Sequence, residues 1–411
     1  MQWLAVLRWL LVVAFAAPLG VFLIYYLTSH PLRMSLHLLL AACTLAGSVS
    51  VLASMFAGWQ LGAAVAVSVA SFMTGYMLAA RHVLGRADPR HVPALTRDPT
   101  DAKGGHTAVI YFTHGEPQTY DPIGWINQFR EFDEQQIQFV PFVARPFFLY
   151  KLRAAYLRVG ASQHRRIHSE MLASLEGAFR NQGDNRTRFY LSFLDDEPRP
   201  DAAVIRALND GASEIILTEV FLTISNHTAE GEELVDALNA EERFGVRVAK
   251  TGPLWDSDLL RELFVVRANA HLAGVDKADV GVLLVGHGQP DEWDVEWGTE
   301  TTQELAFRHA VLERLVEDGF RPDLVDLAWM EFKKPHPAEQ VEAFIKRGAQ
   351  RILYCAAAIS ADSIHSQFDI PKLISEARGP STIERVNLGA WNNDPLVIRA
   401  LKERITEQMT S

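Results

Sequence analysis

Acidic residues are absent from the first 87 positions of this 411-residue chain, and cysteine occurs only twice in its whole length. Cys43 lies in an apolar run and Cys355 in a predicted strand, so a disulfide framework, a cysteine zinc site and an iron–sulfur cluster are all excluded. Residues 1–103 hold seven Lys/Arg and three Asp/Glu, which leaves a formal charge of −15 on the remaining residues. Because nucleic-acid binding needs a basic face, this acidic part argues against DNA or RNA as a partner.

Three long apolar runs lie near the N-terminus, at residues 3–27, about 35–57 and 60–80. Each is long enough to cross a hydrocarbon core of roughly 30 Å, so the sequence predicts three transmembrane helices. None of the runs contains Asp, Glu or Lys. Because ion and proton pathways use such residues, we expect these helices to anchor the chain rather than to conduct ions.

Basic residues at the ends of the apolar runs predict the orientation of the anchor. Arg81, Arg86 and Arg90 follow the third run, and Arg33 lies between the first two. The positive-inside rule then places the N-terminus outside and everything after the third run in the cytoplasm. The expected location is the inner (cytoplasmic) membrane, multi-pass, with lipid as a partner. Small residues in Ala63–Gly75 leave a membrane-protein partner as an alternative role.

After residue 106 short apolar runs alternate with longer amphipathic runs, a pattern typical of parallel sheets covered by helices on both faces. The predicted strands are Thr107–Phe112, Arg188–Phe193, Glu214–Val220, Val280–Val285, Leu324–Trp329 and Arg351–Ala356. The predicted helices are 163–180, 201–210, 257–272, 300–317, 338–347 and 394–408.

The order of features in this part of the chain repeats. The first half reads FTHGEP, ISNHTAEGEE and GPLWDSDLLRELF, and the second half reads VGHGQP, ISADSIHSQFDIP and GAWNNDPLVIRAL. Such self-similarity indicates a duplication. We therefore predict an α/β fold of two similar lobes with parallel sheets flanked by helices. The predicted domains are a membrane anchor at 1–86, a linker at 87–106, a first lobe at 107–275 with an insertion near 118–165, and a second lobe at 276–411.

Four histidines follow predicted strands. His114 and His287 each precede a glycine, and His227 and His365 follow the next carboxyl edge of each lobe. Ligands bind at such edges in open α/β sheets. Imidazole binds divalent metals and accepts a proton near neutral pH. Metal insertion into a tetrapyrrole needs both abilities, because the ion is held while two pyrrole protons leave. His287 and His365 are the preferred candidates, and His114 and His227 are the weaker ones.

The sequence predicts that one carboxylate separates the two lobes. Aligning Pro200 with Pro337 puts Leu194 opposite Glu331, so we expect only the second lobe to have an acid at this strand end. Glu331 there can deliver a metal or accept a proton. A solvated loop acid is the alternative interpretation.

Two tryptophans follow His287 in the sequence DEWDVEW. The indoles of Trp293 and Trp297 can stack on a macrocycle, although half-buried surface aromatics are equally common. The acidic residues of this predicted loop can attract divalent ions, but a solvated acidic loop also explains them.

These residues together resemble a known family. VLLVGHGQP, LAWMEFKKPHPAEQ and the run from His365 through Asp369-Ile370-Pro371 are similar to the class II tetrapyrrole chelatases, specifically the sirohydrochlorin chelatases. That family has a glycine-flanked histidine after its first strand, a Glu ahead of a proline-started helix, and a histidine four residues before Asp-Ile-Pro. The resemblance implies that His287, Glu331 and His365 are its site residues, with the tetrapyrrole between two lobes.

The first half is more similar to protoporphyrin ferrochelatase, through FTHGEP and PFFLYKLRAAYLRVGASQH. With Tyr156 and Gly160 matched to that pattern, Ala161 replaces its second glycine, and Gln163 and His164 replace its Ser and Pro. These departures leave the substrate open.

The resemblance implies a chelatase, a lyase that inserts Fe²⁺ or Co²⁺ into a tetrapyrrole. Together with the predicted spans, which are not part of the usual family layout, this predicts a membrane-anchored enzyme that acts on the cytoplasmic side. The metal is then a substrate, and no tightly bound cofactor is expected. Sirohydrochlorin carries eight carboxylates, which a part with charge −15 repels, whereas an apolar porphyrin suits a membrane anchor. The alternatives are a carrier or sensor that binds tetrapyrrole or metal without turnover, and an accessory subunit of a membrane complex.

Overall fold

The computed structural model describes residues 2–86, 91–100, 105–134, 136 and 140–410. The chain divides into two compact units. The helical unit consists of the described residues of Met1–Pro89 and Thr119–Ala161, and the sheet unit consists of those of Arg90–Gln118 and Ser162–Ser411. Residues 87–90 and 101–104 of the predicted linker, Arg90 among them, lie outside the described residues. The predicted domain boundaries stay a prediction.

The described part of the helical unit is formed by α1 (Gln2–Thr28), α2 (Pro31–Met55), α3 (Trp59–Leu84), α4 (Ile123–Glu134) and α5 (Arg145–Val159). A short 3-10 turn, Phe142–Ala144, precedes α5. The first three helices coincide with the predicted apolar runs. By length and composition each can cross a membrane.

Helices α1 and α3 pack through glycines. A Cβ on Gly20 would clash with the carbonyl of Phe72, and one on Gly75 would clash with the carbonyl of Ala17. Small residues allow such close backbone approach between apolar helices. The two helices run in the same direction, because early residues of α1 cluster with the start of α3 and late residues with its end.

The described residues of 119–161 include a group that packs at the C-terminal end of α1. The buried guanidinium of Arg153 donates from Nη1 to the carbonyls of Tyr26 (2.6 Å) and Ser29 (2.8 Å). The last carbonyls of a helix have no partner within the helix, and a basic side chain there satisfies them and complements the helix dipole. The predicted insertion is therefore grouped, by its contacts, with the three apolar helices.

The sheet unit contains two parallel four-stranded sheets with the same order, β2-β1-β3-β4 and β6-β5-β7-β8. The first sheet has β1 (His106–Thr113), β2 (Thr187–Phe193), β3 (Ala212–Glu219) and β4 (Arg247–Lys250); the second has β5 (Val280–Gly286), β6 (Val325–Trp329), β7 (Arg351–Ala356) and β8 (Glu384–Asn387). The flanking helices are α6 (His164–Arg180), α7 (Pro200–Asn209), α8 (Asn226–Asp236), α9 (Ala240–Phe244), α10 (Asp258–Ala270), α11 (Asp291–Glu317), α12 (Pro337–Lys346), α13 (Ile370–Ser375) and α14 (Pro395–Thr410). The predicted fold class is confirmed.

Hydrophobic patterning explains the position of the central strands. Every residue of β5, VGVLLVG, is buried, as expected for a strand covered by helices on both faces. The two sheets also share a core, since Val109 and Ile216 of the first lobe cluster with Val282, Leu353 and Trp391 of the second. This shared core holds the two lobes together within the sheet unit.

Candidate active site

His287 follows the last residue of the central strand β5. Its Nδ1 lies 2.7 Å from the carbonyl oxygen of Gly288, a contact in which Nδ1 donates and Nε2 is left for another partner. Burial, together with the nearby His365, lowers the pKa of His287 to about 4. His287 is therefore neutral at neutral pH, the form of imidazole that binds metals.

His365 opens a π-helical turn, His365–Asp369, that leads into α13. Its Nδ1 lies 2.9 Å from Oδ2 of Asp369. Burial lowers the pKa of His365, but the hydrogen bond and charge of Asp369, with smaller effects of Glu331 and Glu116, outweigh burial and raise it to about 9. A carboxylate on the far nitrogen fixes the ring orientation of a metal-binding histidine.

The structure brings the three preferred candidates together. The ring centroids of His287 and His365 are 5.5 Å apart, with the rings nearly perpendicular. The backbone N–H of Glu331 donates to the carbonyl of His287 (3.1 Å). Burial raises the pKa of the Glu331 carboxyl, and the charge of His365 opposes this shift. A neutral imidazole, a protonated imidazole and a carboxylate of raised pKa thus share one strand edge.

The first lobe has a carboxylate at the corresponding strand end, contrary to the sequence prediction. The N–H of Asp195 donates to the carbonyl of His114 (2.8 Å), as that of Glu331 does to His287. The counterpart of Leu194 is Met330 instead. The prediction was wrong because the segment between strand end and helix is one residue shorter in the first lobe, so that counting back from the helix prolines shifts the alignment by one position.

His114 and His227 of the first lobe also lie together. Their ring centroids are 4.7 Å apart, and Nδ1 of His114 lies 3.2 Å from Oδ2 of Asp195. Burial, with the nearby His114 and His287, lowers the pKa of His227 well below its usual range. Each lobe therefore holds two imidazoles and a carboxylate.

The first lobe differs in lacking a counterpart of Asp369. The residue four positions after His227 is Gly231, and a Cβ there would clash with the ring of Phe112. Packing thus excludes a carboxylate at this position. The position four residues after His227 therefore cannot supply an acid as Asp369 does for His365, and this asymmetry separates the two lobes.

Glu116, which the sequence argument did not select, joins the two lobes. Its carboxylate accepts from the N–H of Ile364 (3.1 and 3.2 Å) and from the hydroxyl of Ser162. Burial raises its pKa, and Ser162 and His365 oppose that shift. Glu116 stands in FTHGEP beside His114, but its partner is 248 positions away, so sequence alone could not reveal the contact.

The two tryptophans occupy different places. Trp293 lies edge-on to His227, with ring centroids 6.2 Å apart, so it faces the first lobe. Trp297 lies at a kink in α11 (φ −112°, ψ 37°), and its carbonyl accepts from the side chain of Gln289 (2.9 Å). The acidic run predicted as a loop is helical instead, since α11 begins at Asp291, and its Asp294 forms an ion pair with Lys333.

A buried ion pair lies under the strand end that carries His287. Glu304 and Arg308 of α11 are 2% and 0% exposed, and Nη2 of Arg308 lies 3.3 Å from Oε1 of Glu304. The guanidinium carbon of Arg308 lies 3.9 Å from the ring centroid of Trp329. A Cβ on Gly286 would clash with both charged groups. The glycine before His287 is therefore required for this packing.

Replacing Gly286 with Ala should destabilise the fold by about 1–3 kcal/mol, the usual cost of overpacking a well-packed interior. The change would be measured as a lower urea midpoint by circular dichroism. Gly298→Ala is the matched control, because a Cβ at Gly298 meets nothing within 4 Å. Equal midpoints for the two variants would contradict this packing account.

Metal binding by the second lobe should depend on pH. A proton competes with the metal for His365, whose pKa is about 9. Between about pH 6 and 8, where His365 is protonated in the metal-free protein, the apparent Co²⁺ affinity should therefore rise roughly tenfold for each unit by which the pH rises. In Asp369→Asn the pKa of His365 falls, and the slope should flatten. Competition titration against a chelator measures both, and a flat profile for the unmodified chain would refute the assignment.

The residues of this strand edge lie within a segment that matches a known protein family. Residues 281–408, which include His287, Glu331 and His365, match the family model CbiX. This match lies within the second lobe. The predicted resemblance of this lobe to the class II tetrapyrrole chelatases is thereby confirmed. A search of curated proteins found no match.

Similar solved structures include SirB from Bacillus subtilis with Fe3+, 13% identical, which covers 74% of this chain and 95% of its own with a TM-score of 0.46. The sirohydrochlorin chelatase SirB from Bacillus subtilis subspecies spizizenii in complex with cobalt is 12% identical, covering 74% and 94%, with a TM-score of 0.44. DR2241 from Deinococcus radiodurans, a multi-domain protein with structural similarity to chelatases, is 16% identical, covering 74% and 55%, with a TM-score of 0.44.

Proposed function

We propose that this protein is a membrane-anchored chelatase that inserts Fe²⁺ or Co²⁺ into a tetrapyrrole. The observation that carries the proposal is the pairing of His287 and His365, 5.5 Å between ring centroids, beside Glu331. The CbiX match of the same segment supports it. Two imidazoles can hold a divalent ion, and the acid beside them supplies proton transfer.

The protonation states suggest an order of events. Neutral His287 takes the incoming ion through Nε2, and the ion displaces the proton of His365. When the ion passes into the macrocycle, two pyrrole N–H protons must leave. His365, with a pKa of about 9, takes one of them, and Glu331, whose pKa burial raises, takes the other. One metal enters and two protons leave, so charge balances.

A panel of tetrapyrroles and metals, tested with the detergent-solubilised chain, would identify the substrates. The resemblance of the second-lobe motifs to the sirohydrochlorin chelatases favours sirohydrochlorin, whereas the acidic charge and the apolar helices favour a less charged porphyrin. We expect insertion of Fe²⁺ or Co²⁺ into at least one of the two. Binding of tetrapyrrole without insertion of any metal would support the carrier alternative instead.

The three long helices support the anchoring role, and their basic neighbours support its sidedness. Arg33 lies in the first turn of α2 and Arg81 near the end of α3. Residues 119–161, grouped at the C-terminal end of α1, add further Lys and Arg: Arg130, Arg145, Lys151, Arg153 and Arg158. Under the positive-inside rule this end faces the cytoplasm.

A fluorescent-protein reporter fused after Ser411 should therefore behave as cytoplasmic, because an odd number of spans separates it from an outside N-terminus. A fusion after Gly58, between α2 and α3, is the matched control and should report the periplasm. Comparing the two with an alkaline phosphatase reporter gives the reciprocal readout. A periplasmic signal from the fusion after Ser411 would overturn the proposed topology and compartment together.

A further inference from the structure

Helix α5 presents an apolar stripe to its surroundings. Phe147, Tyr150 and Leu157 are 47%, 37% and 54% exposed, and Ala154 is exposed between them. Their spacing of three to four residues places them on one face of the helix. Val143, in the turn before α5, is 47% exposed and extends the stripe.

This concentration of exposed apolar groups stands out in the described part of the chain. Outside α1–α3, nine large hydrophobic side chains are exposed, and four of them fall between Val143 and Leu157. The other five are scattered singly, which is normal for a protein surface. A contiguous apolar stripe instead marks an interaction surface.

The helix is fixed to the last turn of α1 and to the C-terminal third of α3. Besides the contacts of Arg153 with the last turn of α1, the hydroxyl of Tyr120 donates to the carbonyl of Thr28 (3.1 Å). The hydroxyl of Tyr76, in α3, donates to the carbonyl of Val143 (2.5 Å). The ring of Tyr150 lies 5.9 Å from that of Tyr26. If α1 and α3 cross a bilayer, these contacts hold α5 at its surface.

Charge agrees with this placement. Helix α5, RPFFLYKLRAAYLRV, has four basic residues and no acidic one, in a chain whose net charge is −11. Lys151 and Arg158 are exposed beside the apolar stripe. Aromatic and aliphatic residues flanked by exposed Lys and Arg are typical of helices that lie in the membrane interface.

We propose that the face of α5 formed by Phe147, Tyr150 and Leu157 lies in the headgroup region of an anionic bilayer, with Lys151 and Arg158 at the lipid phosphates. The proposal rests on the proposed anchoring by α1–α3, and it names a second lipid contact besides the spans. An apolar helix face at this position would enter roughly 5–10 Å into the interface.

Site-directed fluorescence quenching tests this surface. Phe147→Cys and Leu157→Cys, each made with Cys43→Ala, would be labelled with bimane and reconstituted into phosphatidylglycerol vesicles brominated near the headgroup or deep in the acyl chains. Cys355 is 1% exposed and stays unlabelled. Glu403→Cys, on the exposed face of α14, is the control outside the surface, and native Cys43 in α2 reports insertion of the spans.

We expect strong quenching at both α5 positions by shallow bromines, quenching at Cys43 by deep bromines, and little at Glu403→Cys. Adding Lys151→Glu and Arg158→Glu should move the Phe147→Cys value toward the control, because each basic residue near an anionic surface is worth roughly fivefold in binding. Quenching at Cys43 without quenching on α5 would overturn this proposal and leave the anchoring intact, whereas no quenching at Cys43 would count against the anchoring itself. Disulfide-linked dimers of Phe147→Cys in place of quenching would assign the face to a second copy and also overturn the proposal.

Discussion

Replacing either His287 or His365 with Ala is expected to lower metal insertion by at least about a hundredfold, within the range that loss of a proton-transferring group produces. In the proposed sequence both imidazoles hold the metal, and His365 also takes a pyrrole proton. His287 lies in the loop after β5, and His365 opens the π-helical turn before α13. Neither lies inside a strand of the sheets, so the fold should persist. Steady-state insertion rates, with circular dichroism as the check on folding, measure the effect.

The matched controls are His114→Ala and His227→Ala in the first lobe. These changes should cost much less, because Gly231 stands where an acid would be needed to orient His227 as Asp369 orients His365. If the first-lobe variants lose insertion and the second-lobe variants keep it, the working site has been assigned to the wrong lobe.

Changing Glu331 to Gln is expected to lower turnover by at least about tenfold, since general acid–base assistance is typically worth about 10² to 10⁴ in rate. The amide keeps the shape and some of the hydrogen bonding of the acid but removes its charge. Tetrapyrrole binding, followed by its absorbance shift, should change little.

Asp195→Asn provides the control for Glu331, because Asp195 occupies the same strand-end position in the first lobe. It should leave turnover nearly unaltered. If Glu331→Gln turns over within a factor of two of the unmodified chain, Glu331 takes no part in catalysis. The proposed mechanism would then depend on the histidines alone.

The sequence predicted the central strands well because they are apolar throughout. The predicted Val280–Val285 became β5, and Arg351–Ala356 became β7 without a change of bounds. The edge strands β4 and β8 were missed, since each has four residues and no buried apolar run. Hydrophobic patterning reports burial, and these two short edge strands bury few residues, whereas the longer edge strands β2 and β6 have buried apolar residues and were predicted.

The candidate histidines were predictable because each follows a predicted strand, and the carboxyl ends of parallel strands meet at one edge of each sheet. The residues that surround these histidines were not predictable. The alignment of Leu194 with Glu331 was wrong by one residue, since a sequence count cannot detect a loop that is shorter in one lobe. Glu116 contacts Ile364 of the second lobe, which lies 248 positions away in the chain, and no local sequence pattern encodes that contact.

The grouping of residues 119–161 with α1–α3 could not be predicted from the sequence either. The sequence pattern indicated only an insertion in the first lobe. Their fixing contacts are hydrogen bonds from side chains to helix-end carbonyls, as from Arg153 to Tyr26 and Ser29. Such contacts depend on the meeting of distant segments, not on periodicity.

The most direct test of the central claim counts turnovers. Purified chain in detergent would be given excess Co²⁺ or Fe²⁺ and excess tetrapyrrole, and the metallated product followed by its absorbance. The proposed function predicts many equivalents of product per chain, with the rate lost in His365→Ala. Product that stops at one equivalent per chain, however long the reaction runs, would contradict catalysis and identify the protein as a carrier.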